Sequence, residues 1–145
     1  MLLISSPAHA ADDECAQPSY CAPAIRQALR DAWTRARLGF DATEAGFCTV
    51  KTGGTGVPCA WVARLLPSTN EHMRISFPWN PVCQEIFHTH PNASIAEPSE
   101  GDEDTANHVH RPVYTITNRG LRRYSPGAER SEVLRPNLEW MDPCR

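Results

Sequence analysis

Residues 87–104 read FHTHPNASIAEPSEGDED. Successive side chains of a strand point to opposite faces. In QEIFHTH (84–90), His88 and His90 therefore share one face and Thr89 takes the other. Pro91 has no N–H to give to a ladder, so it ends the strand and turns the chain off the sheet. NASIAEP (92–98) follows as a loop. Ser99 is a good N-cap for a helix over EGDEDTANHVH (100–110), which Arg111-Pro112 stops.

Working outward, PAIRQALRDAWTRARLGF (23–40) places Ile25, Ala28, Leu29, Ala32, Trp33 and Ala36 at helical spacing, with Pro23 at the start and Gly39 as a stop. EAGFCTVK (44–51) and VPCAWVARLL (57–66) read as a strand pair around a Gly-rich turn. PSTNEHMRIS (67–76) reads as a loop leading into a third strand, and FPWNPVC (77–83) carries too much proline for a central strand. VYTIT (113–117), the turn Asn118-Arg119-Gly120 and LRRYS (121–125) form a hairpin. The tail from Pro126 shows no motif. Helix, strands, helix, strands is the order of an α+β or α/β fold, with helices packed on a sheet, and α+β is the class expected here. It is expected as a single domain over 23–145, with 1–22 as a signal-peptide remnant and flexible arm.

The chain's 145 residues suit one core. They fall well short of the about 250 of a (β/α)₈ barrel, a fold whose amidohydrolases also use an H-x-H pair. A net charge of −3 argues against nucleic acid as the partner, and a solvated hairpin accounts for Arg122 and Arg123. No run of 18 apolar residues is present to span a membrane. Ala8-His9-Ala10 has the small-x-small form of a signal-peptidase site. Only Leu2, Leu3 and Ile4 make an apolar core before it, where a signal needs about 7–15 apolar residues, so the expected start lies upstream. Six cysteines, an even count without C-x-x-C, predict disulfides and a secreted or periplasmic location. The spacing suggests Cys15–Cys21, Cys48–Cys59 across a hairpin centred on Gly53 and Gly54, and Cys83–Cys144.

Two imidazoles on one strand face can bind one zinc ion, and Asp102, on the first turn of the next helix, can supply a third ligand. Two histidines, a carboxylate and a water make an open, catalytic type of site. Each piece has a plainer reading. H-x-H also arises from polar alternation on an exposed strand. Ser99-x-x-Asp102 is also a capping box, and Glu100, Asp102, Glu103 and Asp104 suit the positive end of a helix dipole. His108 and His110 suit the other end of the same dipole.

H-x-H-P, a loop and S-x-x-D together resemble the signature of the JAMM/MPN+ zinc metalloprotease family. That resemblance implies an MPN/JAB-like (cytidine-deaminase-like) mixed sheet flanked by helices. It implies zinc on His88, His90 and Asp102, and a hydroxyl from Ser99 for the oxyanion. It also implies an upstream glutamate, on the strand after the first helix, that takes a proton from the attacking water. Glu44 opens EAGFCTV directly after the first helix and fits that place best, with Glu71 and Glu85 as the other choices and Asp104 as a lesser choice of ligand. VYTITNRGLRRYSPG is similar to the ending of secreted bacterial JAB-like domains, some of them in toxin-type proteins. The expected activity is hydrolysis of an amide in a peptide, an isopeptide or a peptidoglycan crosslink. The alternative is a catalytically silent MPN-like scaffold with a partner or immunity protein. A LytM-type endopeptidase would need H-x-x-x-D upstream of the pair, but His72 is followed four residues on by Ser76, and His9 is followed by Asp13 only in the expected leader.

Overall fold

The computed structural model describes residues 13–40, 42–67 and 82–144. Helix α1 (Pro23–Arg35) is followed by strands β1 (Gly46–Gly54), β2 (Val57–Leu66) and β3 (Glu85–Thr89). Helix α2 (Glu100–Val109) then leads to β4 (Val113–Thr117), β5 (Gly120–Tyr124) and β6 (Glu132–Pro136). The six strands form one mixed sheet in the order β2-β1-β3-β4-β5-β6. Among the described residues only the β3–β4 pair is parallel. A parallel pair needs a crossover of a dozen or more residues, and the 90–112 segment with α2 supplies it. The expected loop and third strand over 67–76, and FPWNPVC, fall almost wholly outside the described residues.

The two faces of the sheet are covered unequally. Ile25, Leu29 and Trp33 of α1 pack on Phe47, Trp61, Phe87, Tyr114, Ile116 and Leu121. Phe47, Phe87 and Tyr114 stack across three neighbouring strands at 4.8 and 4.0 Å between ring centres. This is the larger core, and the periodicity of α1 follows from it. The opposite face holds Cys48, Leu66, Cys83, Ile86, Val113 and Tyr124, and α2 adds the buried Ala106 with Val109 partly buried against it. With one buried residue, α2 owes its place to polar anchors instead. Its N-terminus carries a full capping box, and the Asn107 side chain bonds the Tyr124 hydroxyl and accepts from Gly127 N–H (2.7 Å).

The tail without sequence motifs adds the sixth strand and then folds back. Trp140 meets Trp33 edge to face at 5.8 Å, and its indole N–H donates to Thr117 O (2.9 Å). Arg26 donates to Met141 O (3.0 Å), which ties the tail to α1.

All six cysteines are paired, but not as the spacing suggested. The bonds are Cys15–Cys59, Cys21–Cys144 and Cys48–Cys83, in place of Cys15–Cys21, Cys48–Cys59 and Cys83–Cys144. The reason lies in the β1–β2 register. The hairpin closes at Gly54↔Val57, two residues later than a turn on Gly53 and Gly54, so Cys48 faces Arg64. Cys48 instead lies beside Ile86 of β3, on the face that also receives Cys83. Residues 13–22, read as part of a flexible arm, contain short 3-10 turns at Glu14–Ala16 and Ser19–Cys21. One disulfide fastens them to β2 and another to the tail, and the Glu14 carboxylate accepts from Trp61 N–H on the edge of β2 (3.0 Å). Three disulfides fit an oxidising compartment. Among the described residues no helix is long and apolar enough to cross a membrane.

Candidate metal centre

His88 is the fourth residue of β3 and His90 follows its end, and both are buried (1% and 4% exposed). As the alternation requires, the imidazoles share the α2 face, and Thr89 faces the α1 side. The His90 ring is held by a hydrogen bond between its Nδ1 and Ile95 O (2.9 Å). A carbonyl only accepts, so Nδ1 carries the proton, and Nε2 of the neutral ring presents its lone pair inward.

The Nε2 atoms of His88 and His90 lie 2.9 Å apart. The Asp102 carboxylate approaches them at 3.2 and 3.1 Å. Ser99 and Asp102 cap one another: Ser99 N–H donates to Asp102 Oδ2 (2.8 Å) and Asp102 N–H to Ser99 Oγ (3.1 Å). The capping box and the candidate ligand set are thus the same residues, because the bonds that start α2 also aim its carboxylate at the histidines. Asp104 is exposed on α2.

Glu44 reaches the same histidines. A carboxylate oxygen of Glu44 and one nitrogen each of His88 and His90 lie within 4.8 Å of one another. Its neighbour Ala45 is clamped to β3 twice, with Ala45 N–H donating to Thr89 Oγ1 (2.9 Å) and Thr89 N–H to Ala45 O (2.8 Å). Thr89, which carries no function in the sequence reading, positions the segment that bears Glu44. The loop after His90 is pinned by Thr115, whose hydroxyl donates to Ala96 O (2.7 Å), and by Arg119, which bonds Ser94 O.

Glu85 is excluded from the site. It lies at the far end of β3, where the Tyr114 hydroxyl and Thr49 (2.9 Å) both donate to it. Glu71 falls outside the described residues. His108 and His110 are exposed at the end of α2, away from the ligand set.

The electrostatics suit a cation. Burial pushes the His88 pKa down, but the adjacent Asp102 carboxylate outweighs it, and the net shift is upward. Burial likewise raises the Asp102 pKa, yet its bonds to His88, His90 and Ser99 carry it well below the ordinary carboxylate range. Asp102 therefore offers the ring nitrogens a fixed negative charge, and a metal ion can take the place that a proton would otherwise occupy there. Tetrahedral zinc with ligands at about 2.0–2.1 Å sets neighbouring ligand atoms about 3.3 Å apart. Separations of 2.9, 3.1 and 3.2 Å among the three donors are close to that span. A second grouping, Asp13 with Cys15 and Cys59, does not fit a metal, because its two sulfurs are bonded to each other and offer no thiolate.

A pH dependence follows. Without metal, the raised His88 pKa adds stability that is fully present below the unfolded value of 6.5 and is lost as pH rises through the folded value. With metal the sign reverses, since binding needs neutral imidazoles. As pH rises above 6.5, Tm should therefore fall in chelator and hold or rise in zinc; parallel curves would contradict this.

No protein-family model matches the chain, and no match is found among curated proteins or solved structures. Fold and site together define a small α+β domain with three disulfides and a His–His–carboxylate cluster suited to a metal ion.

Proposed function

We propose that the protein is an exported, zinc-dependent hydrolase of the JAMM/MPN+ kind, which cleaves an amide bond in a peptide, an isopeptide or a peptidoglycan crosslink. One observation carries the reading: two imidazole nitrogens and a capped carboxylate converge within 2.9–3.2 Å, with the Glu44 carboxylate beside them. When bound, zinc lowers the pKa of a water to about 7 and polarises a carbonyl. His88, His90 and Asp102 hold the ion. Glu44 takes the proton of the attacking water and returns it to the leaving amine. Ser99 Oγ accepts its capping bond from Asp102 N–H, which leaves its hydroxyl proton to donate to the developing oxyanion. Three disulfides are consistent with work in the periplasm or outside the cell.

The test is to incubate zinc-loaded protein with peptide libraries and with purified peptidoglycan, and to look for new amines by mass spectrometry. Chelator-sensitive release supports the hydrolase. No release from any amide, with zinc bound, would favour the catalytically silent binding module.

A further inference from the structure

The turn after α1, residues 37–40, is strained and tied to the loop after His90, and Ala45, next to Glu44, is tied to Thr89 before it. Arg37, Leu38 and Gly39 are three consecutive residues at positive φ (52°, 57° and 81°), and two of them are not glycine. Left-handed backbone is costly for a branched side chain such as leucine, and it persists only where the surroundings enforce it. Asn92 does so here: its N–H donates to Gly39 O (2.8 Å) and its side-chain amide to Leu38 O (3.1 Å). A Cβ at Gly39 would lie 2.3 Å from the Asn92 side chain and 2.6 Å from Trp33, so only glycine passes. The anchor of the turn is therefore Asn92, just after His90, and that of Ala45 is the clamp to Thr89, just before it.

The strained turn displays apolar side chains to solvent. Leu38 is 51% exposed and Phe40 is 85% exposed, whereas Phe47 and Phe87 are fully buried. Ile95, whose carbonyl holds the His90 ring, is a third exposed apolar side chain, on the loop that carries Asn92. Phe40 and Glu44 are four residues apart, so at about 3.3–3.6 Å per residue their Cα atoms lie within about 14 Å. That is the span of a few residues of extended peptide laid across the site. A turn in strained backbone, tied to the loop that follows His90, that presents an aromatic and a leucine to solvent fits a ligand clamp better than a fold requirement.

We propose that Leu38 and Phe40 are specificity-determining residues, which receive an aromatic or branched aliphatic side chain of a peptide substrate next to the scissile amide. This rests on the hydrolase reading above. The lip offers no side-chain hydrogen-bond donor or acceptor at these two positions, so it selects apolar groups over sugar hydroxyls.

The experiment compares the wild type with Phe40→Ser and Leu38→Asn, the latter because asparagine tolerates left-handed backbone. A short-peptide library is presented to each zinc-loaded protein, and cleavage is scored for bulky apolar against glycine positions. Losing one apolar contact is worth about 10–200-fold in discrimination. The wild-type preference should therefore fall by at least about 10-fold in each variant. Unchanged ratios would overturn the proposal and leave the hydrolase reading standing. The same library is also captured on the Glu44→Gln protein with and without Phe40→Ser. Capture of apolar peptides that depends on Phe40 upholds the lip even if no amide is cut, which would count against hydrolysis alone. A wild-type dimer that becomes monomeric in Phe40→Ser would assign the lip to a second copy of the chain and overturn the proposal.

Discussion

Glu44→Gln is expected to lower amide hydrolysis by about 10²–10⁴-fold, the usual size of a general-base contribution, while zinc content and thermal stability stay as in the wild type. Glutamine keeps the volume and can still hydrogen-bond, but it cannot take a proton. The structure places Glu44 within 4.8 Å of His88 and His90 at one end of a clamped segment. Asp102→Asn should behave differently and weaken zinc itself, because the lost charge belongs to the ligand set and to the capping box. Glu85→Gln is the control. Its partners are Thr49 and Tyr114 at the far end of the strand, so activity should be unaffected. Loss of zinc in Glu44→Gln would make Glu44 a ligand. Full activity there, with activity lost in Glu71→Gln, would move the proton-transfer role to Glu71.

The second large effect is on stability. Cys21–Cys144 closes a sequence separation of 123 residues, the widest of the three bonds. By the chain-entropy relation such a loop is worth about 5 kcal/mol, against about 4 kcal/mol for the shorter two. The double variant Cys21→Ser, Cys144→Ser should therefore lose on the order of 4–5 kcal/mol, a drop of roughly 10–20 °C in Tm for a domain of this size. Zinc content should survive at low temperature, since His88, His90 and Asp102 lie on β3, the segment after it and α2. A Tm within a degree or two of the wild type would contradict the pairing. So would a disulfide-mapped peptide joining Cys83 to Cys144.

The sequence was most legible where periodicity and caps act locally. Val57–Leu66 and the Val113–Thr117 strand appear with the ends expected of them, and α1 buries the apolar residues that its spacing marks. The convergence of His88, His90 and Asp102 was legible for the same reason: strand alternation, a proline stop and a capping box are each read within a few residues. What depends on register was not legible. A hairpin turn displaced by two residues re-paired every cysteine, since the gap between Gly53 and the true closure at Gly54↔Val57 decides what Cys48 faces. Nor was the tail, whose strand and buried Trp140 are specified by contacts with Trp33 and Thr117 far away in the chain. The supports of the site were missed too. Thr89 and Asn92 act through bonds to Ala45 and Gly39, about 45–55 residues earlier, and nothing in their own surroundings marks that role.

If His88, His90 and Asp102 form a zinc centre, the metal content of the protein depends on them. Protein purified without chelator should carry about one zinc per chain by elemental analysis. The His88→Ala, His90→Ala double variant should carry none while its disulfides remain intact. Full zinc occupancy in that double variant, or a wild-type protein that takes up no zinc at neutral pH, would contradict the account.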